Sequence, residues 1–265
     1  MRRFRIAECF LGVVLAVVAS GCGRKSESLT LAGSTAFQSF AEKLAEQYMA
    51  TRPDVNITVQ GGGSAVGVQA ALSGAAQIGM ADLVELPPEA AALTATVAAR
   101  DGIAVVVRPS NAVTYLTLDQ VRSIFNGTIK NWKEVGGADT PITVVSREAG
   151  SGTRSSFEQI VQKIKLTQDA IVQDSNGTIR ETVANDQKSI GYLSHGLLSE
   201  KIKAVSVDGA HCTNEEITQG AYKLVRPMYL LTRGAPAGSQ KAFIDYVLSE
   251  EGQKTIQSSG LIRAR

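Results

Sequence analysis

Strand-like and helix-like segments alternate along this chain almost without a break, and that alternation commits it to an α/β fold. Leu29 to Ala32 is a short apolar strand. Phe37, Phe40, Ala41, Leu44, Ala45 and Tyr48 then recur at helical spacing, the apolar face of an amphipathic helix that Arg52-Pro53 stops. Val55 to Val59 alternates as a strand, Ser64 to Leu72 reads as helix, and Gln77 to Met80 as strand. Pro87-Pro88 opens a helical stretch through Leu93, and Ile103 to Val107 is a buried strand. Thr117 and Gln120 form a capping box for a helix with Leu118, Val121 and Phe125 on one face. The strand Ile142 to Val145 precedes a helix using Phe157, Ile160, Val161 and Ile164. Ile171-Val172, the helix Thr178 to Ala184, Gly191 to Leu193 and Ala204 to Val207 follow. The strand Met228 to Leu231 and a final helix carrying Ala242, Phe243, Tyr246 and Val247 complete the series.

With 265 residues, 44% of them apolar, the chain has material for two lobes of ordinary size. No Gly/Ser-rich linker divides it into halves, so two lobes require the chain to cross between them and return. The crossings fall near Ile103 and Tyr222. Residues 29–103 with 223–265 then make one lobe and 104–222 the other.

The N-terminus points outward from the cell. Arg2, Arg3 and Arg5 precede an apolar stretch, Phe10 to Ala19, too short to span a bilayer, which ends in Ala19-Ser20-Gly21-Cys22. This pattern resembles a bacterial lipoprotein signal over residues 1–21, with Cys22 receiving lipid and residues 22–28 acting as a polar tether. An ordinary secretory signal cut nearby is the alternative, and either one exports the protein. Setting aside the signal's three arginines and Glu8 from 27 basic and 25 acidic residues leaves 24 of each. No polybasic face therefore argues for nucleic acid or an anionic membrane surface. Cys9 lies in the signal, so Cys212 alone remains in the folded part, read as a small filler in a surface segment. No cysteine or histidine spacing resembles a metal site.

Three strand-to-helix junctions carry glycine beside a small hydroxyl residue: Ala32-Gly33-Ser34-Thr35, Gly61-Gly62-Gly63-Ser64 and Gly150-Ser151-Gly152-Thr153. Ser175-Asn176-Gly177-Thr178 is a weaker fourth. Helix N-termini present unpaired N–H groups and a partial positive charge, glycine admits a ligand to that backbone, and Ser or Thr adds a donor. One such junction is explained by N-capping alone. Several in one α/β chain converge at the binding edge of the sheet. Nucleotide loops are excluded by spacing, since neither G-x-x-x-x-G-K-[ST] nor G-x-G-x-x-G occurs at these turns. Arg147, at a strand end just before Gly150, offers a planar fork of donors to a tetrahedral anion. Asp82, after the strand Gln77 to Met80, suits a ligand that still carries a proton, which a carboxylate can accept. Fully ionised sulfate would instead face a like charge.

Gly33-Ser-Thr35, Gly61-Gly-Gly-Ser64, Ala81-Asp82 and Arg147-Glu-Ala-Gly-Ser-Gly-Thr-Arg154 resemble the phosphate-binding proteins of phosphate-specific ABC transporters. The likeness runs from about Leu29 to the C-terminus and includes Ile124-Phe125-Asn126-Gly127 and Asn131-Trp132. It implies the two-lobed, type II periplasmic-binding-protein fold, closing on inorganic phosphate in a cleft between lobes, with no metal or organic cofactor. Carried over by motif, the ligands are Ser34, Thr35, Ser64, Asp82, Arg147, Ser151, Gly152 and Thr153. The partners implied are the permease subunits and ATPase of an ABC importer, with a monomer anchored to the membrane through lipid only. Ala81 stands where the family often has serine and Leu83-Val84 replaces a more polar run, which removes one outer hydroxyl contact.

Two rivals stand beside this reading. A binding protein for sulfate or molybdate would share the architecture, but those ligands have no proton to give Asp82. A secreted phosphatase would need metal ligands or an activated nucleophile. His195 and His211 are isolated, and Ser151 has no evident general base.

Overall fold

The computed structural model describes residues 27–162 and 164–264. The signal segment, Cys22 and the start of the tether lie outside the described residues. β1 (Glu27–Gly33), α1 (Gln38–Thr51), β2 (Val55–Gln60), α2 (Ser64–Ser73) and β3 (Ile78–Ala81) come first, followed by the 15-residue strand β4 (Leu93–Val107). The middle of the chain forms β5 (Tyr115–Leu116), α3 (Leu118–Phe125), β6 (Thr143–Arg147), α4 (Gly152–Ile160), β7 (Ile171–Gln173), α5 (Asn176–Asn185) and β8 (Ser189–Ser194). β9 (Lys203–Ala204), β10 (Ser206–Val207), α6 (Asn214–Thr218), β11 (Val225–Arg233), α7 (Gly238–Leu248), α8 (Glu250–Ser258) and β12 (Ile262–Arg263) follow.

The main strand order is β2-β1-β3-β11-β4-β8-β6-β7. β1 is parallel to β2 and β3, and β6 is parallel to β7 and β8. Parallel neighbours need crossover segments, which α1, α2, α4 and α5 supply. β4 carries the chain from one lobe to the other. Its residues 93–102 pair with β11 and its residues 103–107 with β8, antiparallel in both cases. The return path lies alongside: the Ile103 amide donates to the Leu224 carbonyl at 2.7 Å, and the Tyr222 hydroxyl donates to the Ile103 carbonyl at 2.7 Å.

Two principal apolar cores result. Leu31, Phe40, Leu44, Ile78, Leu230 and Phe243 pack in the first. Val105, Phe125, Phe157, Ile179, Ile190 and Tyr192 pack in the second, where Phe157 stacks on Tyr192 with ring centroids 4.0 Å apart.

Several expectations need correction. Glu27 and Ser28, given to the tether, belong to β1 and pair with Val55 and Asn56. Ile103, placed at the end of the first lobe, pairs with Ser194 and packs in the second core. β4 starts ten residues before the apolar run that announced it. The small and polar residues Thr94, Ala95 and Thr96 find partners in β11 rather than an apolar face. The helix after Gly150 stops at Ile160, with Gln162 at φ +68°, so Val161 and Ile164 reach the core from the segment beyond it. A further helix, α8, follows α7; its sequence is too polar to announce itself, and Ile256 is its one fully buried large apolar residue. Cys212 is buried rather than superficial, its sulfur near where a Cβ on Gly102 would stand.

Candidate anion-binding site

Four helix starts meet where the lobes face each other. α1 and α2 belong to the first lobe, α4 and α5 to the second. Ser34 is fully buried, and its Oγ accepts the Phe37 amide at 3.1 Å. Ser151 caps α4, its Oγ accepting the Arg154 amide at 3.2 Å, which leaves its own O–H free to donate. Ser175 caps α5 in a capping box with Thr178, so of that junction it is Asn176 that enters the site.

Arg147 is 1% exposed at the end of β6. Its Nε and Nη2 form a two-pronged contact with Glu148, at 2.9 and 2.8 Å. Nη2 also donates to Thr35 Oγ1 across the cleft at 3.2 Å and to the Asp174 carbonyl at 3.1 Å. Nη1 is buried with no partner. An orphaned guanidinium donor inside a protein is costly, and this one stands among hydroxyl-bearing helix starts. Asn176 joins the cluster: its Nδ2 donates to Thr35 Oγ1 at 3.2 Å, and its Oδ1 accepts the Ser194 amide at 3.0 Å.

Asp82, 1% exposed, is already partnered within the protein. Ser64 Oγ donates to its Oδ1 at 2.6 Å and Thr153 Oγ1 to its Oδ2 at 3.0 Å. Arg226 of β11 places Nη1 2.8 Å from Oδ2, an ionic contact without hydrogen-bond alignment. Arg226 Nη2 donates to Asp101 Oδ2 at 2.8 Å, and Ser194 Oγ donates to Asp101 Oδ1 at 3.0 Å. Burial pushes the Asp101 carboxyl above the ordinary range, against the opposing pull of Arg226.

The cleft is closed. The Ala65 amide donates to the Gly150 carbonyl at 3.1 Å, and Ser156 Oγ bonds both the Asp82 carbonyl and the Val84 amide. Gly152 lies so near Ser64 and Asp82 that a Cβ there would stand 2.1 Å from Ser64 Oγ. Beside this cluster runs a groove of about 640 Å³, lined by Val68, Leu83, Pro87 and Ile164 with Ser64, Ser151 and Gly152. Arg147, Asp82 and Thr153 are not in its lining. All eight residues nominated from sequence therefore gather in one place. Arg226, Asp101 and Glu148 were missed. The one available signal for Arg226 was an arginine between apolar residues, in Leu224-Val225-Arg226-Pro227-Met228.

Fold and cleft define a solute-binding protein, and the profile of the PBP superfamily domain matches residues 18–251. The phosphate-binding protein PstS of Bacillus subtilis is 37% identical over 242 residues, covering 90% of this chain and 81% of that protein. A phosphate ABC transporter substrate-binding protein from Clostridium perfringens, solved with bound phosphate, superposes with a TM-score of 0.87 at 38% identity, covering 90% of this chain and all of that one. An ABC-type phosphate transport receptor from Vibrio cholerae gives 0.75 at 36%, over 88% and 99%. The chain belongs to the PstS family of phosphate-binding proteins.

Proposed function

We propose that this protein captures inorganic phosphate in the closed cleft outside the cytoplasm and delivers it to the permease subunits of an ABC importer. The observation that carries this reading is Arg147: a buried guanidinium with one unpartnered nitrogen, set among helix starts of both lobes. Thr35, Ser64, Ser151, Thr153 and the Gly152 backbone supply further donors, and Ser34 shapes the turn before α1. The Ser64 and Thr153 hydroxyls are rotors that can turn from Asp82 to a bound oxyanion. A carboxylate has about four acceptor sites, so Asp82 keeps capacity for a proton that the ligand brings.

Closure follows from the chain path. One body is residues 27–102 with 225–264 and the other 103–224, moving about the paired crossings in β4 and before β11. The protein acts as a monomer, catalyses no reaction and needs no cofactor. Lipid on Cys22 holds it to the membrane, as the Ala19-Ser20-Gly21-Cys22 pattern suggests. The bound phosphate named for the Clostridium perfringens protein supports phosphate over sulfate or molybdate.

Calorimetric titration of residues 23–265 with phosphate, sulfate and molybdate tests the reading. One-to-one binding of phosphate with far weaker sulfate and molybdate is expected. Equal or tighter binding of either rival would replace phosphate as the ligand.

A further inference from the structure

Arg226 is the one cation within 4.0 Å of Asp82 among the described residues, and its side-chain hydrogen bond goes to Asp101 rather than to the hydroxyl-bearing helix starts. It stands in β11 directly opposite Asp101 of β4, one residue before the place where the paired strands leave the first lobe. Its side chain is 0% exposed, and the two carboxylates that it bridges are at most 2% exposed. The contacts close into a ring. Asp82 meets Arg226, Arg226 meets Asp101, and Asp101 accepts from Ser194. The Ser194 amide bonds Asn176, which reaches Thr153 at 3.5 Å, and Thr153 returns to Asp82. This ring passes between the lobes twice, once at the crossing strands and once at the cleft.

Building on the phosphate reading, we propose that Arg226 is the positioning residue of the anion site. It orients Asp82 and supplies its counter-charge, so that a negative ligand can settle beside a carboxylate, while Asp101 anchors Arg226 at the crossing. The planar fork of the guanidinium meets one carboxylate with each terminal nitrogen. Buried charges without partners are costly, and here two carboxylates share one guanidinium. Without Arg226, Asp82 would present an uncompensated charge to the incoming anion.

The test is a double-mutant cycle on phosphate affinity in the secreted chain, with circular dichroism confirming the fold of each variant. Arg226→Met should weaken phosphate binding by roughly tenfold or more. Adding Asp82→Asn to that variant removes the uncompensated charge, and affinity should return to the level of Asp82→Asn alone. Arg226→Lys, run through the same cycle, keeps the charge and covers the case in which Arg226→Met does not fold. It should lose less than Arg226→Met and be rescued in the same way. Losses that multiply across the cycle would overturn the inference, because Arg226 would then act independently of Asp82. A wild-type protein that takes up no phosphate would instead sink the phosphate reading itself.

Discussion

Gly63 and Gly150 meet across the closed cleft: a Cβ on Gly63 would stand 2.7 Å from the Gly150 carbonyl oxygen. Gly63 also holds φ +90° and ψ 166° as the residue before α2, a conformation nearly confined to glycine. Gly63→Ala should therefore open the lobes and weaken phosphate by about 5- to 150-fold, from a strain of ~1–3 kcal/mol. Small-angle scattering should show a larger radius of gyration in the variant with phosphate present. A variant as compact and as tight-binding as wild type would refute this.

Arg147→Ala removes the charged fork from a buried anion. Charge-assisted hydrogen bonds contribute ~1.5–3 kcal/mol each, so affinity should drop roughly tenfold to several-thousandfold in calorimetry. Arg147 sits at a strand end, and the variant should still fold. Unchanged affinity would take Arg147 out of the site.

Asp82→Asn keeps the side-chain shape, removes the negative charge and supplies an amide donor. Sulfate should then compete better for labelled phosphate, since a like charge gives way to a hydrogen bond. Arsenate, protonated like phosphate, should shift much less. Ser64 and Thr153 donate to different oxygens of Asp82. In the variant one hydroxyl keeps the amide oxygen as acceptor and the other can turn to accept from the amide N–H, so the cleft should still close. If sulfate competes as poorly as before, the carboxylate does not discriminate between the anions.

Asp101 gives a pH test with a definite sign. Its native carboxyl is raised by burial against the pull of Arg226 and Ser194, with Asp82 beyond them adding to the rise. The folded state therefore binds this proton more tightly than the unfolded chain. That contribution to stability is fully present below the unfolded value of about 3.9 and is lost as pH rises through the native value. Asp101→Asn cannot titrate there. In urea unfolding, wild type should lose ground to the variant as pH rises from about 4 towards neutrality. A stability difference that stays flat over this range would contradict the assignment.

Cys22→Ser should release the protein from the membrane fraction and leave phosphate affinity unchanged. Detergent-phase partitioning measures it directly. A variant still held in the detergent phase would mean that Cys22 is not the anchor point.

Much of this molecule was legible because its signals are local. The apolar spacing from Phe37 to Tyr48, the capping box at Thr117 and the glycine-hydroxyl junctions act within a turn or two of backbone, and each lies where its residues direct. The eight nominated residues were picked out the same way, since helix starts and strand ends carry their chemistry in adjacent positions. What failed was of another kind. The first ten residues of β4 hold no apolar run, and they are a strand because β11 lies beside them. Cys212 is buried because Gly102 leaves it room.

Arg226 shows the boundary most clearly. Its hydrogen-bonded partner Asp101 is 125 residues away in sequence, and nothing around Val225 and Pro227 says which carboxylate it will meet. The α/β alternation and the glycine-hydroxyl junctions were legible in sequence, because each follows from backbone periodicity or from donors that sit next to one another. The tertiary structure alone decided that Asp82 is paired, that Arg226 bridges it to Asp101, and that Asn176 completes the ring. Those contacts arise when strands distant in sequence are laid side by side, and buried charges select their partners by proximity in space.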